Sequence, residues 1–142
     1  MSPWPSPEVR FWQKVEKRND GCWQWIGGTK AAGYGQFAVN GKKVIAHRWS
    51  YEFFVGPIGD GLEIDHLCRN PSCVRPDHLE PITIAENRAR RVAAKTSCIH
   101  GHAYTPENTI YQMDKQGYQN RYCRACNLLK QRRTYANRKP RD

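Results

Sequence analysis

The amino-acid sequence predicts a small α+β protein in which metal-binding cysteines and histidines hold short strands and helices together. Asn40-Gly41 separates two alternating segments, "GYGQFAV" and "KKVIA", which is a strong signal for a β-hairpin. Downstream, "GLEIDH" and "HLEPI" predict two short strands on either side of a cysteine-containing loop. A capping box at residues 83–86 then opens a helix that we expect to end near Ala94. The central order is therefore strand, metal loop, strand, helix.

Two further helices are predicted upstream of this central segment. "PEVRFWQKVEK" places Val9, Trp12 and Val15 at three-residue intervals, which is typical of one face of an amphipathic helix. "HRWSYEFFVG" predicts a second helix, which Gly56-Pro57 ends. At the other end of the chain, "LLKQRRTYANRKPRD" predicts a basic helix that frays into a tail.

The composition favours a folded, basic protein with a polyanionic partner. The net charge is +10, the isoelectric point is about 9.6 and aromatic residues make up 11% of the 142 residues. Nucleic acid is the simplest partner for such a surface. No apolar run approaches the ~20 residues of a membrane span, and "MSPWPSPEVR" lacks the apolar centre of a signal peptide. We therefore expect a cytoplasmic protein with no membrane partner.

The chain has the length of one domain with a small satellite module. Residues 96–142 carry nine Lys and Arg against three Asp and Glu, so this segment is more basic than the rest. We predict a first domain over residues 1–95 and a second, smaller module over residues 96–142. In a reducing cytoplasm the six cysteines favour zinc binding. A secreted disulfide framework is the alternative, but no export signal accompanies it.

The first predicted metal site lies in the loop between the two central strands. Cys68-x4-Cys73-x4-His78 offers three zinc ligands, one fewer than a closed tetrahedral site needs. Cys22, in "GCWQW", is the cysteine left to complete the set once the second cluster has taken its own. Alternatively, Cys22 is a buried small apolar residue beside its neighbouring tryptophans.

The second predicted metal site contains Cys98, His102, Cys123 and Cys126. The two-residue spacing of Cys123 and Cys126 lets both thiolates reach one ion. His100 competes with His102 for the histidine position, and we prefer His102. A redox cysteine pair is the alternative, although no thioredoxin-like pattern surrounds it. A module of this size builds little core, so zinc would supply most of its folding free energy.

Asp65 and His66 precede the first cluster and have a different chemistry. In a strand, His66 shares a face with Cys68 and Asp65 points the other way. A histidine with a pKa near neutrality is suited to accept a proton from water, and a carboxylate oxygen suits a hard divalent cation. Taken alone, the pair is better explained as a simple hydrogen-bonded pair.

Several separated motifs change that interpretation. "IDHLCRNPSCVRPDHLEPITIAEN" resembles the active-site hairpin and helix of HNH, or ββα-metal, endonucleases encoded by phages and introns. Its His-x-Cys-x4-Cys-x4-His core is similar to that of the His-Cys box homing endonucleases. "GYGQF" and "AHRWSYEFFVGPI" resemble the segment that precedes this hairpin in phage HNH proteins. The resemblance covers about residues 10–92 and predicts a zinc-stabilised ββα-metal domain.

The resemblance implies roles for individual residues. His66 would be the general base, and Asp65 with Asn87, in "AENRAR", would hold one catalytic Mg²⁺ or Mn²⁺. Arg48, or His47 beside it, would face the scissile phosphate and stabilise charge in the transition state. Two zinc ions would then be structural. DNA cleavage would leave 3′-hydroxyl and 5′-phosphate ends, in the host-cell cytoplasm if the protein is phage-encoded.

One position departs from the family pattern. Relatives often carry Asn where this chain has Arg75, and that Asn braces the loop; Asn70 or the zinc ion would have to take over. We also expect six basic residues to contact DNA phosphates. They are Arg88, Arg90, Arg91, Lys130, Arg132 and Arg133.

The predicted function is that of a metal-dependent HNH endonuclease acting on DNA. Its main rival is a non-catalytic, zinc-dependent DNA-binding module, and a second rival acts on RNA. The sequence leaves open whether one strand or both are cut, which site is recognised and whether the protein is a monomer or a homodimer. It also leaves open whether the role is homing, packaging or attack on host DNA.

Overall fold

A computed structural model describes residues 4–137 of the chain. The chain divides into two compact units, Met1–Ile84 and Ala85–Asp142. The first unit contains two helices and three antiparallel hairpins before the start of a third helix. These elements are α1 (Pro7–Trp12), β1 (Val15–Lys17), β2 (Trp23–Trp25), β3 (Gln36–Val39), β4 (Lys42–Ile45), α2 (Ala46–Phe54), β5 (Leu62–His66) and β6 (Leu79–Thr83).

The β3–β4 hairpin turns at the predicted Asn-Gly pair. Gln36 pairs with Ile45 and Val39 with Lys42, which leaves two residues in the turn. Asn40 and Gly41 have φ angles of 49° and 75°, the left-handed conformations that a two-residue hairpin turn favours. Because α2 follows β4 without a loop, this hairpin fixes where α2 begins.

The hydrophobic core of the first unit is built mainly from aromatic residues. Phe11 of α1, Trp25 of β2 and Phe37 of β3 are almost fully buried and pack with Ala46 and Val74. The Phe11 ring centroid lies 5.7 Å from that of Trp25 and 5.9 Å from that of Phe37. Val74 belongs to the metal loop, so this core extends to the segment between β5 and β6.

The β5–β6 hairpin and its loop carry most of the predicted chemistry. His66 pairs with Leu79 at the loop end of the hairpin, and Leu62 pairs with Thr83 at the other end. The loop is attached to the rest of the first unit through Ser50 of α2, whose buried hydroxyl donates to the Val74 carbonyl at 2.5 Å. A short 3₁₀ helix, Pro76–His78, returns the chain to β6.

The second unit has a smaller interior. Its elements are α3 (Ile84–Ala93, which begins at the last residue of the first unit), β7 (Thr109–Met113), β8 (Gln119–Cys123) and α4 (Arg124–Ala136). The antiparallel β7–β8 pair joins Thr109 to Cys123. Among the described residues of this unit, Cys123 alone is buried.

The structure confirms the predicted mixed α+β class, with hairpins, helices and two Cys/His clusters. The predicted short amino-terminal helix is present, but its carboxyl end was placed too late: α1 ends at Trp12, and Val15 pairs with Trp25 in the β1–β2 hairpin. That pairing with a distant tryptophan overrides the helical spacing. The domain division at residues 95 and 96 stays a prediction, and the predicted tail falls on residues 138–142, which lie outside the described residues.

In the described part of the chain, no helix combines the length and the apolar character that crossing a membrane requires.

Candidate active site and metal centres

The first cluster brings together Cys22, Cys68, Cys73 and His78. Their ligand atoms all lie within 4.8 Å of one another. The Nδ1 atom of His78 is 3.7 Å from Cys22 Sγ and 3.6 Å from Cys73 Sγ. Ligands about 2.0–2.3 Å from a tetrahedral zinc ion lie about 3.4–3.8 Å apart, so these distances suit zinc. Cys22 is therefore placed to complete the set.

Hydrogen bonds hold the Cys22 segment beside the metal loop. The Asp20 carboxylate accepts from the backbone N–H of Cys22 at 3.0 Å, which shapes the turn before β2. The Arg75 guanidinium donates to the Gly21 carbonyl at 2.9 Å, so it ties this turn to the loop. Arg75 therefore has a bracing contact of its own to the turn that carries Cys22.

Asn70 braces the other side of the same loop. Its side-chain oxygen accepts from the backbone N–H of Ser72 at 3.1 Å, and its side-chain nitrogen donates to Gln24 at 2.8 Å. Gln24 also forms an isolated antiparallel bridge to Cys73. Arg75 and Asn70 thus both hold the ligand-bearing loop in position.

The second cluster brings together Cys98, His102, Cys123 and Cys126. Cys98 Sγ is 3.5 Å from His102 Nδ1 and 3.7 Å from Cys126 Sγ. His102 Nδ1 is 3.6 Å from Cys123 Sγ, so these separations also match a tetrahedral zinc site. His102 belongs to the cluster, as predicted, whereas the competing His100 is exposed.

The thiols of the second cluster differ in proton affinity. The backbone N–H of Cys126 stabilises the thiolate of Cys123 and lowers its pKa to about 6. Burial and the neighbouring thiols raise the pKa of Cys126 to about 12. Cys123 thus favours the thiolate form that binds zinc at neutral pH, while Cys126 would lose its proton on zinc binding.

His66 lies outside the first cluster, buried at the end of β5. Its Nε2 atom is 3.1 Å from the carbonyl oxygen of Cys73, which only accepts hydrogen bonds, so Nε2 carries the proton. In the neutral ring, Nδ1 then has the free lone pair. Because Cys73 also belongs to the zinc cluster, one loop residue both contributes a ligand and sets the tautomer of His66.

The surroundings of His66 favour its neutral form. Burial lowers the pKa of His66 below the usual histidine value, because desolvation disfavours the imidazolium ion. The Cys73 carbonyl and the Asp65 carboxylate act in the opposite direction but do not reverse the shift. At neutral pH the ring is therefore available as a proton acceptor.

Asp65 is also buried, and its carboxylate is in contact with a cation. Arg69 Nη1 lies 3.1 Å and 3.3 Å from the two carboxylate oxygens. Arg69 reaches back from the loop with a φ angle of 58°. A buried carboxylate that already attracts a positive group has the donor chemistry that Mg²⁺ or Mn²⁺ prefers.

His47 and Tyr34 pack around His66. The ring centroid of His66 is 4.6 Å from that of His47 and 6.0 Å from that of Tyr34. Burial lowers the pKa of His47 to about 3, and its Nδ1 atom has no hydrogen-bond partner. Arg48, the next residue of α2, is half-buried. Tyr34 was absent from the predicted site, because nothing in its sequence surroundings distinguishes it from a strand-flanking aromatic residue.

The remaining predicted site residues lie in the second unit. Asn87 is half-buried in α3, whereas Asp65 belongs to the first unit, so their joint role as metal ligands stays a prediction. The six predicted DNA-contacting residues divide between α3 and α4. Arg88, Arg91, Lys130, Arg132 and Arg133 are exposed, and Arg90 is half-buried.

Comparison with known proteins agrees with the geometry of the hairpin. A family model described as "HNH endonuclease" matches residues 44–89, from β4 into α3. Protein 7.7 of Escherichia phage T7 is 42% identical over 66 residues, which cover 46% of this chain and 51% of that protein. Protein 2.8 of the same phage is 35% identical over 77 residues, covering 53% of this chain and 52% of that protein.

A third relative is matched over more of its length. The uncharacterized gene 5.3 protein of Enterobacteria phage T3 is 36% identical over 85 residues, which cover 56% of this chain and 78% of that protein. The chain spans only about half the length of the two T7 relatives. No solved structure matches the chain. The family model and the phage relatives together show that this chain belongs to the HNH endonuclease family.

Proposed function

We propose that this protein is a metal-dependent endonuclease that hydrolyses DNA phosphodiester bonds, with His66 as the general base. The observation that carries the proposal is the contact between His66 Nε2 and the Cys73 carbonyl. This contact leaves a basic nitrogen on a buried, neutral ring within the segment that matches the HNH family. A pure DNA-binding module needs no such base.

In the proposed reaction, His66 Nδ1 accepts a proton from a water molecule. The water oxygen attacks the phosphorus in line with the 3′ oxygen, and the bond between phosphorus and that oxygen breaks. The departing 3′ oxygen takes a proton from solvent, which gives 3′-hydroxyl and 5′-phosphate ends. The Cys73 carbonyl keeps the imidazole in the tautomer that this step requires. Asp65 and Asn87 would hold one Mg²⁺ or Mn²⁺ ion, which when bound supplies Lewis-acid stabilisation of the phosphate and the leaving oxygen.

Arg48 is the residue we assign to the scissile phosphate. It follows His47, whose ring packs on His66, and its positive charge is one of the causes that lower the pKa of His47. Preorganised positive charge stabilises a phosphate whose negative charge grows in the transition state. The two zinc ions are structural in this scheme, because complete Cys₃His sets leave no open coordination position.

We assign DNA binding chiefly to phosphate contacts from α3 and α4. From Leu128 to Asn137 every residue is exposed, and α4 contains no acidic residue. Lys130, Arg132 and Arg133 lie in this stretch and would give sequence-independent, salt-sensitive affinity. Since the matched relatives are phage proteins, we place the activity in the cytoplasm of a host cell.

A plasmid experiment separates this proposal from the non-catalytic alternative. The wild-type protein, with both zinc sites filled, is incubated with supercoiled plasmid and Mg²⁺, Mn²⁺ or EDTA. We expect nicked or linear DNA with either metal ion and none with EDTA. Asp65→Asn and Asn87→Ala should require more metal ion or lose activity. The matched control is Asp60→Asn, which changes an exposed acid just before the same strand and should cut normally.

One result of this experiment would contradict the proposed endonuclease activity. Salt-sensitive DNA binding without cleavage under any metal condition would support the zinc-dependent binding module instead. Competition between duplex DNA and structured RNA would identify the preferred nucleic acid.

A further inference from the structure

Helix α3 has little support of its own. It spans ten residues, and none of them is buried. Isolated helices shorter than about 12–15 residues are marginal in water, so a helix of this length depends on contacts with neighbouring elements. This dependence bears on the proposed reaction, because α3 carries Asn87, a proposed ligand of the catalytic metal ion.

Arg121 of β8 supplies one such contact, at the carboxyl end of α3. Its Nη2 atom donates to the carbonyl of Val92 and, at 2.5 Å, to that of Lys95. The last carbonyls of a helix lack partners within the helix and carry partial negative charge, so a guanidinium ion is well matched to them. The Arg121 guanidinium also lies 3.9 Å from the ring centroid of Tyr104, which restricts its movement.

A second contact holds the middle of α3, directly beside Asn87. Arg88 lies 4.6 Å from the ring centroid of Tyr118 and 3.8 Å from the carboxylate of Asp114. Asp114 is itself fixed, because it accepts from the backbone N–H of Tyr118 at 2.9 Å and from that of Gln116 at 3.0 Å. The middle and the carboxyl end of α3 are thus attached to the β7–β8 hairpin and its turn.

The hairpin is in turn tied to the second metal cluster. Cys123, the last residue of β8, is one of the four clustered ligands, and Arg121 precedes it by two positions. We propose that Arg121 is a positioning residue through which the second zinc module holds α3, and with it Asn87, in place. This inference rests on the proposed function, in which Asn87 binds the catalytic metal ion. It gives the second zinc cluster a role in the reaction without contact to the substrate.

The first test measures the helix itself. Arg121→Ala is compared with wild type by amide hydrogen exchange, with both proteins containing two zinc ions per chain. We expect exchange in residues 85–95 to become about tenfold faster, as loss of charge-assisted hydrogen bonds implies, with the zinc content unchanged. Arg124→Ala is the matched control. Arg124 also donates to a backbone carbonyl of this unit, that of Glu107 at 2.8 Å, so its loss should leave α3 unchanged.

The second test measures metal use in plasmid cleavage. If Arg121 positions Asn87, Arg121→Ala should raise the half-saturating Mg²⁺ concentration several-fold. A merely structural role would reduce the maximal rate through a smaller folded fraction and leave that concentration unchanged. Arg121→Lys keeps the charge but loses the planar guanidinium that lies over Tyr104, so it should recover part of the metal affinity.

Unchanged exchange in α3 of Arg121→Ala would overturn the inference. If that variant loses its second zinc ion, Tyr104→Leu provides an independent test, because it removes the ring against which the Arg121 guanidinium lies. Faster exchange in α3 of Tyr104→Leu supports the inference, and unchanged exchange refutes it. A wild-type protein that cuts no DNA refutes the proposed function alone, since α3 exchange still reports whether Arg121 holds the helix.

Discussion

The two metal clusters use the same ligand set in very different surroundings. Each contains three cysteines and one histidine at separations that suit zinc. The first lies in a unit with a buried aromatic core, in which Phe11, Trp25 and Phe37 are no more than 2% exposed. Among the described residues of the second unit, by contrast, only Cys123 is buried. The same types of ligand therefore occur in two units that differ in how much stability they have without a metal ion.

This difference shows what zinc has to supply in each unit. Fully burying a large apolar side chain contributes about 1.5–3 kcal/mol, so the first unit has a source of stability besides its metal. The second unit lacks that source, and a structural zinc ion contributes about 10–16 kcal/mol of metal-linked folding free energy in small modules. We therefore propose that zinc would shape a loop in the first unit and would determine folding in the second.

The largest expected effect comes from removing a ligand of the second cluster. Cys126→Ser should abolish zinc binding there and unfold β7, β8 and α4, because no core remains to hold them. Hydrogen exchange over residues 98–136 should approach that of an unfolded chain. All five tryptophans lie in the first unit, so their fluorescence should stay at the wild-type value. Retained protection of β7 and β8 without zinc would contradict the comparison.

A core substitution tests the other side of the comparison. Phe37→Ala should lower the free energy of unfolding of the first unit by about 3–5 kcal/mol, the usual cost of such a cavity. The tryptophan transition in a urea titration measures it. Val9→Ala is the control, because Val9 is 49% exposed and its truncation should have little effect. A loss for Phe37→Ala no larger than the control would show that zinc, and not the core, holds this unit.

A smaller effect is expected where the core meets the metal loop. Ser50→Ala removes the buried hydroxyl that donates to the Val74 carbonyl, which leaves that carbonyl without this partner. The free energy of unfolding of the first unit should fall by about 1–3 kcal/mol. Thr134→Ala removes an exposed hydroxyl that donates to Lys130 of α4, and it should be close to neutral. Equal changes in this free energy for the two variants would mean that the hydrogen bond from Ser50 to Val74 does not stabilise the first unit.

The sequence was most informative where local chemistry determines structure. Asn40-Gly41 identified its hairpin because few other residues adopt both left-handed conformations. Cysteine and histidine spacing predicted three members of the first cluster and all four of the second, and Cys22 followed as the cysteine left over for the first. The β7–β8 hairpin was missed although Gly117, with a φ of 82°, marks its turn; "DKQG" was the available signal.

Contacts that depend on the folded backbone were beyond prediction from the sequence. The three-residue strand β1 exists because Val15 pairs with Trp25, and nothing near Val15 specifies that partner. Similarly, Arg69 reaches Asp65 through a left-handed loop residue, and His47 meets His66 only when α2 packs beside β5. These contacts depend on the assembled fold and not on local propensity.

We propose different roles for the two histidines of one short segment: His78 would hold zinc, and His66 would act as the general base. The most direct test measures zinc content and plasmid cleavage on the same sample of His66→Ala, beside His78→Ala and wild type. We predict that His66→Ala keeps two zinc ions per chain and loses cleavage, whereas His78→Ala loses the first zinc ion. Cleavage by His66→Ala at the wild-type rate, or loss of its zinc, would contradict the assignment.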